Sequence, residues 1–383
     1  MPIRCDLKPE ICCDSESMAA RGLYESVKFE CVERLLTLSK ESDMSVKDLK
    51  KSGTIYLPWA PEIKGLRFRG FKGEVDYPQM AAVINGSKYE DKIERADSEE
   101  DIAHSYRHLV NCDPYQDMLF AELDGRVVGY SRVTWKEELD GKRLYVHFGF
   151  LLPEFRRRGI GRSMLRYNQM RLREIAVQHP IHHPRYFESF AGDSEISATA
   201  LLINEGYSAI RHNFEMVRPD LENIPDAPMP PGLEVRPVQM DQLQAIRDAS
   251  VEAFRDHWGF NHEEEPTVEQ MVGDRNFDPS LWRVAWDGYQ VAGMVLSFID
   301  HKQNAEYNRL RGWTESISVR RPWRKRGLAR SLIAQSLWAV KERGMTEAAL
   351  GVDTENLTGA LHLYEGLGFR PVNRFSIYRL KIN

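Results

Sequence analysis

The chain has 383 residues, more than one hydrophobic core usually serves, so we expect two domains. Its 42% hydrophobic and 28% charged residues are ordinary for a globular protein, and its net charge of −5 argues against a surface dedicated to nucleic acid. No run reaches the ~18 apolar residues of a membrane span, and residues 1–20 lack an apolar signal region. We therefore predict no membrane partner and a cytoplasmic location.

The five cysteines all lie at or before Cys112, and their spacing matches neither a zinc site nor a disulfide framework. The histidines likewise show no recognised ligand spacing. We therefore predict no bound metal. A cysteine nucleophile is excluded for the later two-thirds of the chain.

In chain order, residues 1–57 are predicted to be an N-terminal extension of uncertain order, with an amphipathic stretch over residues 23–38. Residues 58–218 then show a mixed pattern typical of an α/β domain. The elements predicted there are a strand over 66–71, helices over 75–84 and 98–110, hairpin turns at Asp124-Gly125 and Asp140-Gly141, and a helix with Ile160, Met164, Leu172 and Ile175 on one face.

A proline-rich segment over residues 219–231 has the composition of a linker. Residues 232–383 repeat the earlier order of elements, which predicts a second domain of the same kind. Its predicted elements are a strand over 233–238, a helix over 243–254, a hairpin at Asp287-Gly288, a strand ending at Val319, a helix ending at Gly344, a strand over 348–352, a helix over 358–365 and a strand over 375–380.

Two basic, glycine-containing segments each lie between a strand and a helix: Arg324-x-x-Gly327-x-Ala329 and Arg156-x-x-Gly159-x-Gly161. The first turn of a helix exposes unpaired N–H groups at its positive dipole end, so each segment could hold a diphosphate. Such residues could instead merely occupy an exposed turn, but two copies in equivalent places favour phosphate binding. The basic neighbours are Arg320, Arg321, Arg326 and Arg330 in the second copy, and Arg157, Arg158 and Arg162 in the first.

In these segments the sequence resembles the GNAT superfamily, whose pyrophosphate signature is [Q/R]-x-x-G-x-[G/A], over about residues 60–218 and 232–383. The resemblance implies an α/β (mixed α+β) fold of two consecutive GNAT-like domains, each a mixed, mostly antiparallel sheet flanked by helices. The tandem arrangement resembles the mycothiol synthase type. The resemblance also implies acetyl-coenzyme A (acetyl-CoA) as co-substrate.

The ending of the second half strengthens the resemblance, because Asn356, Tyr364 and Gly368-Phe369 match the family's N-x(7)-Y-x(3)-G-[F/Y] pattern. The resemblance implies that Asn356 contacts coenzyme A and that Tyr364 protonates the departing thiolate. Tyr364 could instead be a core aromatic residue at helical spacing. In the first half Leu202 and Ser194 stand at the corresponding places, so we predict that its domain is degenerate.

The strand before the second loop is expected, by resemblance, to bind the pantetheine arm through its main chain. Glu315 shares a strand face with Ile317 and Val319 and is our candidate for relaying the amine proton, although an edge glutamate is often simply solvated. His147 is its first-half counterpart by counting. The predicted cofactor-binding residues are Ile317, Val319, Arg324, Lys325, Arg326, Gly327, Leu328, Ala329, Arg330 and Asn356, with Arg156, Gly159 and Gly161 in the first half.

The acidic and aromatic segment 256–265 is predicted to form the acceptor wall, where it would attract a cationic amine. Its carboxylates could equally precede the N-terminus of the next helix.

The sequence therefore predicts an acetyl-CoA-dependent N-acetyltransferase acting directly, in a ternary complex, on a primary amine of a small molecule or peptide. The alternative from another class is a noncatalytic coenzyme A sensor. A third interpretation takes the arginine segments as nucleic-acid contacts with salt-sensitive binding, and the acidic balance argues against it.

Overall fold

A computed structural model describes residues 45–51, 53–262, 265–356 and 359–382. The described residues up to Leu49 belong to one unit, and those from Lys50 onward belong to a second. In the described part of the first unit, Ser45 donates to the carboxylate of Asp48 at the start of the short helix α1 (Val46–Leu49). The predicted amphipathic stretch over 23–38 lies outside the described residues. Within the described ranges, no helix combines the length and apolar character needed to cross a membrane.

The first half of the large unit alternates strands and helices as predicted. Its elements are β1 (Lys50–Lys51), β2 (Thr54–Ile55), β3 (Leu66–Arg69), α2 (Tyr77–Asp91), α3 (Glu99–Arg107), α4 (Pro114–Asp117), β4 (Met118–Leu123), β5 (Arg126–Glu137), β6 (Arg143–Leu151), α5 (Ile160–Val177), β7 (Arg185–Gly192), α6 (Ile196–Asn204) and β8 (Ser208–Arg218).

The second half repeats this order after the proline-rich segment. Its elements are β9 (Glu234–Arg236), α7 (Leu243–Phe254), α8 (Val268–Gly273), β10 (Arg283–Asp287), β11 (Gln290–Phe298), α9 (His301–Glu306), β12 (Arg311–Val319), α10 (Leu328–Glu342), β13 (Glu347–Asp353), α11 (Ala360–Gly366) and β14 (Arg370–Lys381). The predicted mixed fold with a largely antiparallel sheet is confirmed.

Local sequence explains several of these boundaries. Asp124 and Gly125 have φ of 50° and 85°, the positive values that a tight hairpin turn between β4 and β5 requires. Ile160, the first residue of α5, is fully buried together with Leu172, as the helical spacing predicts. Helix α10 ends just before Gly344, whose φ of 83° stops the helix.

In the part of the chain that the structure describes, the strands form one 14-stranded sheet in which the last strand of each half lies in the other half. β14 lies between β7 and β8, and it pairs antiparallel with both. β8, from the end of the first half, pairs antiparallel with β13 of the second. The two halves therefore exchange their closing strands.

Side chains of the exchanged strands are also buried in the hydrophobic cores of the opposite halves. Tyr378 of β14 is buried with Leu172 and Phe187 in a first-half core. Met216 of β8 is buried with Leu332 and Leu350 in a second-half core. Each half is thus completed by side chains that the other half supplies.

Candidate active site

A cavity lies where β12 and β13 separate. These strands run parallel and pair only from Arg311 with Glu347 to Trp313 with Ala349, although both continue further. The cavity has a volume of about 510 Å³, within the range of small-molecule sites. Its lining residues are Lys136, Glu138, Leu144, Glu188, Asn213, Phe254, His257, Trp258, Gly259, Glu315, Ser316, Ile317, Gly351, Val352, Asp353, Asn356, Tyr364, Ile377 and Arg379.

A β-bulge shapes the wall of this cavity. Met294 of β11 pairs with Ser318, but Leu296 pairs with Glu315, so β12 has one extra residue. Ser316 takes φ 48° at this point, which is uncommon for a residue other than glycine. The bulge turns the backbone at the place where Glu315 meets the cavity.

Glu315 is held by a main-chain donor within this cavity. The amide N–H of Gly351 donates to its Oε1 at 2.9 Å. Burial raises the pKa of Glu315 to about 7, although this hydrogen bond opposes the rise. The carboxyl group can therefore exchange a proton near neutral pH.

Tyr364 and Asn356 line the same cavity. The ring of Tyr364 also packs against Phe369 in the second-half core, so it has the core position that its helical spacing suggests. Burial raises the pKa of Tyr364, and the negative charge of Glu315 raises it further. The phenol therefore carries its proton at neutral pH.

The two arginine loops have the same backbone conformation. Lys325 and Gly327 have φ of 61° and 85°, and Arg157 and Gly159 have φ of 61° and 87°. Gly327 and Gly159 are the N-cap residues of α10 and α5, and neither helix has a side-chain cap. The first-turn N–H groups of both helices thus lack a protein side-chain cap, as an anion site requires.

The first arginine of each loop binds protein groups. The Nε of Arg324 donates to the Val319 carbonyl at 2.9 Å, and its Nη1 donates to Asp256 Oδ2 at 2.7 Å. Arg156 likewise donates to a strand-end carbonyl and to the carboxylate of Asp91. These contacts join each loop to the end of the strand before it and to a carboxylate near the end of an earlier helix, Asp91 in α2 and Asp256 after α7. The guanidinium groups therefore hold the loops in place.

Part of the predicted acceptor segment lines the cavity, namely His257, Trp258 and Gly259. Asp256 instead pairs with Arg321 and Arg324, which together lower the pKa of its carboxyl group. Glu263 and Glu264 lie outside the described residues. Thr267 caps α8 through a capping box, so a hydroxyl is the cap of that helix.

The first half has a cavity of about 370 Å³ in the equivalent place, lined by Arg157, Gly159 and Gly161 among others. β5 and β6 pair there without a register shift from Gly129 to Glu137, so the bulge of β12 has no counterpart. Because β6 lacks the extra residue of β12, Phe148 pairs with Arg132 as Glu315 pairs with Leu296 in the second half. Phe148 is therefore the first-half counterpart of Glu315.

The first-half position predicted for His147 is therefore corrected. Its side chain is buried, and its Nε2 lies 2.7 Å from the hydroxyl of Tyr207. Burial lowers the pKa of His147 to about 4, so the ring is neutral at physiological pH. The bulge in β12 is the reason that counting along the strands gave the wrong equivalence.

Four charged residues of the cavity lie outside the second-half strands and loops that carry the motifs, and they were not predicted as site residues. Lys136, Glu138 and Glu188 belong to the first half, and Arg379 lies on the exchanged strand β14. Their only signal in the sequence is that charged residues interrupt apolar strand segments. Such an interruption does not predict that the residue lines a functional site.

With this geometry in place, comparison with known proteins decides the family. The family model described as "Acetyltransferase (GNAT) family" matches residues 85–179 and 243–369. The chain belongs to the GNAT acetyltransferase family. Both matched regions end before an exchanged strand.

Among curated relatives of this GNAT chain, the mycothiol acetyltransferase of Catenulispora acidiphila is 27% identical over 234 residues, covering 60% of this chain and 70% of the relative. That of Salinispora arenicola is 27% identical over 303 residues, covering 77% and 91%. The N-alpha-acetyltransferase MAK3 of Arabidopsis thaliana is 34% identical over 93 residues, covering 24% and 46%.

Solved structures show the same GNAT architecture. The GCN5-related N-acetyltransferase from Sphaerobacter thermophilus has a TM-score of 0.63 at 25% identity, covering 83% of this chain and 96% of that one. A tandem GNAT protein from the clavulanic acid biosynthesis pathway has a TM-score of 0.56 at 16% identity, covering 82% and 98%. At 16% identity, the similarity to the tandem GNAT protein shows a shared fold alone.

The predicted tandem GNAT organisation and the enzyme class are thereby confirmed. The chain is an N-acetyltransferase of a family that uses acetyl-CoA and transfers its acetyl group to an amine.

Proposed function

We propose that this enzyme moves an acetyl group from acetyl-CoA directly to a primary amine of a small molecule or peptide, and that the cavity beside Tyr364 is where it does so. The observation that carries this proposal is the meeting of Glu315 and Tyr364 in one cavity, beside the bulge in β12. One group can accept a proton near pH 7, and the other keeps its proton.

In the proposed step the amine nitrogen attacks the thioester carbon, so a C–N bond forms and the C–S bond breaks. Glu315 accepts the proton that the amine loses, directly or through water. Tyr364 donates a proton to the sulfur, and solvent later restores it. General acid–base help of this kind contributes about 10²- to 10⁴-fold to rates.

Acetyl-CoA fits the loop that precedes α10, because a glycine N-cap leaves the first-turn N–H groups for its diphosphate. We propose that Lys325, Arg326, Gly327, Leu328, Ala329 and Arg330 surround this diphosphate, with Arg324 bracing the loop. Asn356 and the main chain at Ile317 and Val319 would hold the pantetheine arm. A cationic acceptor would approach from His257 and Trp258.

A direct transfer is supported by the absence of cysteine from residues 113–383 in the sequence. No thiol there could carry the acetyl group as a covalent intermediate. Two-substrate kinetics with intersecting lines are therefore expected.

The first half favours a second role. Its cavity has Arg156, Gly159 and Gly161 at the loop, but Leu202 and Phe148 stand in place of the tyrosine and the glutamate. We propose that it binds coenzyme A without transferring the acetyl group. It would supply the sensor function that the alternative prediction gave to the whole chain.

Release of free thiol from acetyl-CoA with a panel of amines tests the main proposal. Tyr364→Phe should lower the single-turnover rate by about 100-fold or more, because the sulfur loses its proton donor. Tyr207→Phe is the matched control, since it removes a buried hydroxyl that bonds Gln169 and His147 in the first half. It should leave the rate within about twofold.

An unchanged single-turnover rate in Tyr364→Phe would remove the acid assignment. A wild-type chain that binds coenzyme A but releases no thiol with any amine would replace the enzyme proposal by the sensor.

A further inference from the structure

The far wall of the acetyl-transfer cavity is a buried ionic cluster built by the first half and the exchanged strand. Arg379 of β14 donates from Nε to Glu188 Oε2 at 2.7 Å and from Nη2 to Glu138 Oε1 at 2.6 Å. The side chains of Arg379, Glu188 and Glu138 are 8%, 9% and 7% exposed. Removing one partner of a buried ion pair leaves an uncompensated buried charge, so each group of this cluster depends on the others.

The same guanidinium group reaches the acceptor segment. The Arg379 Cζ lies 4.7 Å from the ring centre of Trp258, within the distance of a cation–π contact. Arg211 lies 5.2 Å from that ring and is itself held by both oxygens of Asp353. Trp258 is therefore contacted by two arginines that are each fixed by carboxylates.

The next residue of the segment, Gly259, also lies beside the cluster. A Cβ atom built on Gly259 would stand 3.7 Å from Glu138 Oε1, and Gly259 has φ 70°. The backbone of the segment thus passes close to the cluster immediately after Trp258. The cation–π contact at Trp258 thus joins the segment to Arg379, which the first-half carboxylates of Glu138 and Glu188 hold.

We propose that Arg379, held by Glu138 and Glu188, is a positioning residue for the amine acceptor, and that the first half takes part in the reaction by holding it through these two carboxylates. Arg379 fixes Trp258, and Trp258 sets where the amine stands relative to Glu315. This inference rests on the proposed function, because it assigns the acceptor to the cavity that holds Tyr364.

Arg379→Lys tests the proposal, because lysine keeps the charge but loses the fork that reaches two carboxylates and the ring. We expect the KM for the amine to rise about 10- to 100-fold, since small misplacements are costly, while the KM for acetyl-CoA stays within about twofold. The pH profile should keep its position, because Glu315 is untouched.

Arg374→Lys is the matched control. Arg374 lies on the same strand and donates to Asp193 at 2.7 Å, with both side chains about half exposed. It should change neither KM. Trp258→Ala should resemble Arg379→Lys, and the double variant should be no worse than the poorer single variant, because the two residues act through one contact.

Hydrogen exchange gives a readout that does not depend on turnover. Amides of residues 254–262 should exchange faster in Arg379→Lys than in Arg374→Lys or the wild type. If exchange and the amine KM stay unchanged, or if the two KM values rise together, the inference is wrong. A wild-type chain without transferase activity would defeat the proposed function alone, and the exchange comparison would still decide whether Arg379 holds the segment.

Discussion

Glu315 shows how one side chain is prepared by its surroundings. A glutamate on an open strand would ionise near 4.5, but burial beside the bulge raises its pKa to about 7. The amide of Gly351 favours the ionised form and limits the rise. The result is a carboxyl group whose proton affinity suits a base at neutral pH.

The pH dependence of turnover should report this group. We expect kcat/KM for the amine to rise with pH along a limb with an apparent pKa of about 7, because the ionised form of Glu315 accepts the proton. Glu315→Gln should remove that limb and lower kcat by about 10²-fold or more. Initial rates between pH 5.5 and 9 decide this, and a limb that persists in the variant would assign the base elsewhere.

The raised pKa of Glu315, which suits a base at neutral pH, also lowers the stability of the folded protein as pH rises. Because the pKa of Glu315 is higher in the folded protein than in the unfolded chain, folding favours the protonated form, and the free energy of unfolding falls as pH rises from about 4.5 to 7. Glu315→Gln should therefore stabilise the protein at pH 8.5, by at most about 3 kcal/mol, and do so less at pH 5.5. Urea unfolding at both pH values measures it, and an equal effect at both would contradict the shifted pKa.

At the scale of elements, the loop before α10 works through its backbone. Gly327 has φ 85°, and nothing lies within 4 Å of a Cβ built there, so strain alone opposes a side chain. Gly344, at the other end of α10, has φ 83° and equally open surroundings. Substituting either glycine should impose similar backbone strain, but only Gly327 lies at the proposed diphosphate site. Comparing the two variants therefore distinguishes the cost of strain from an effect on ligand binding.

Gly327→Ala and Gly344→Ala should each destabilise the protein by about 1 kcal/mol, because alanine is strained in the left-handed region. Gly327→Ala should also raise the KM for acetyl-CoA severalfold, since the loop around the diphosphate would shift. Thermal unfolding and donor titrations measure the two effects. Equal donor KM values in the two variants would mean that the loop does not hold the diphosphate.

For the whole molecule, strand exchange joins the halves more firmly than a linker could. β14 has hydrogen-bonded neighbours on both sides, β7 from the first half and β8 paired in turn with β13 of the second. Neither residues 58–218 nor residues 232–383 contain all the strands of their own half of the sheet. The domain boundary predicted at 219–231 therefore stays a prediction: it divides the chain, but the closing strands on either side of it are exchanged within one sheet.

A protease site engineered into residues 219–231 tests this. After cleavage, the two fragments should elute together in size-exclusion chromatography without denaturant and should keep most of the acetyl-transfer activity. The fragments produced separately should aggregate, because each exposes an unpaired strand edge. Uncleaved protein is the control, and two separate folded peaks after cleavage would contradict the exchange.

The sequence by itself determined the elements and the motifs. Hairpins at Asp124-Gly125 and Asp287-Gly288, the buried face of α5 and the end of α10 at Gly344 follow from local backbone preferences and helical spacing. The arginine loops could be named from their place between a strand and a helix, Glu315 from strand alternation, and Tyr364 from the resemblance of its short motif to the family's pattern. Each depends on residues close together in the chain.

Only the tertiary structure decided which parts meet. The alternating pattern of β14 is the same whichever strands lie beside it, so its place between β7 and β8 could not be predicted. The bulge at Ser316 requires a positive φ that its sequence does not signal. Arg379 and Glu138 meet 241 residues apart, through long-range packing that no local pattern encodes.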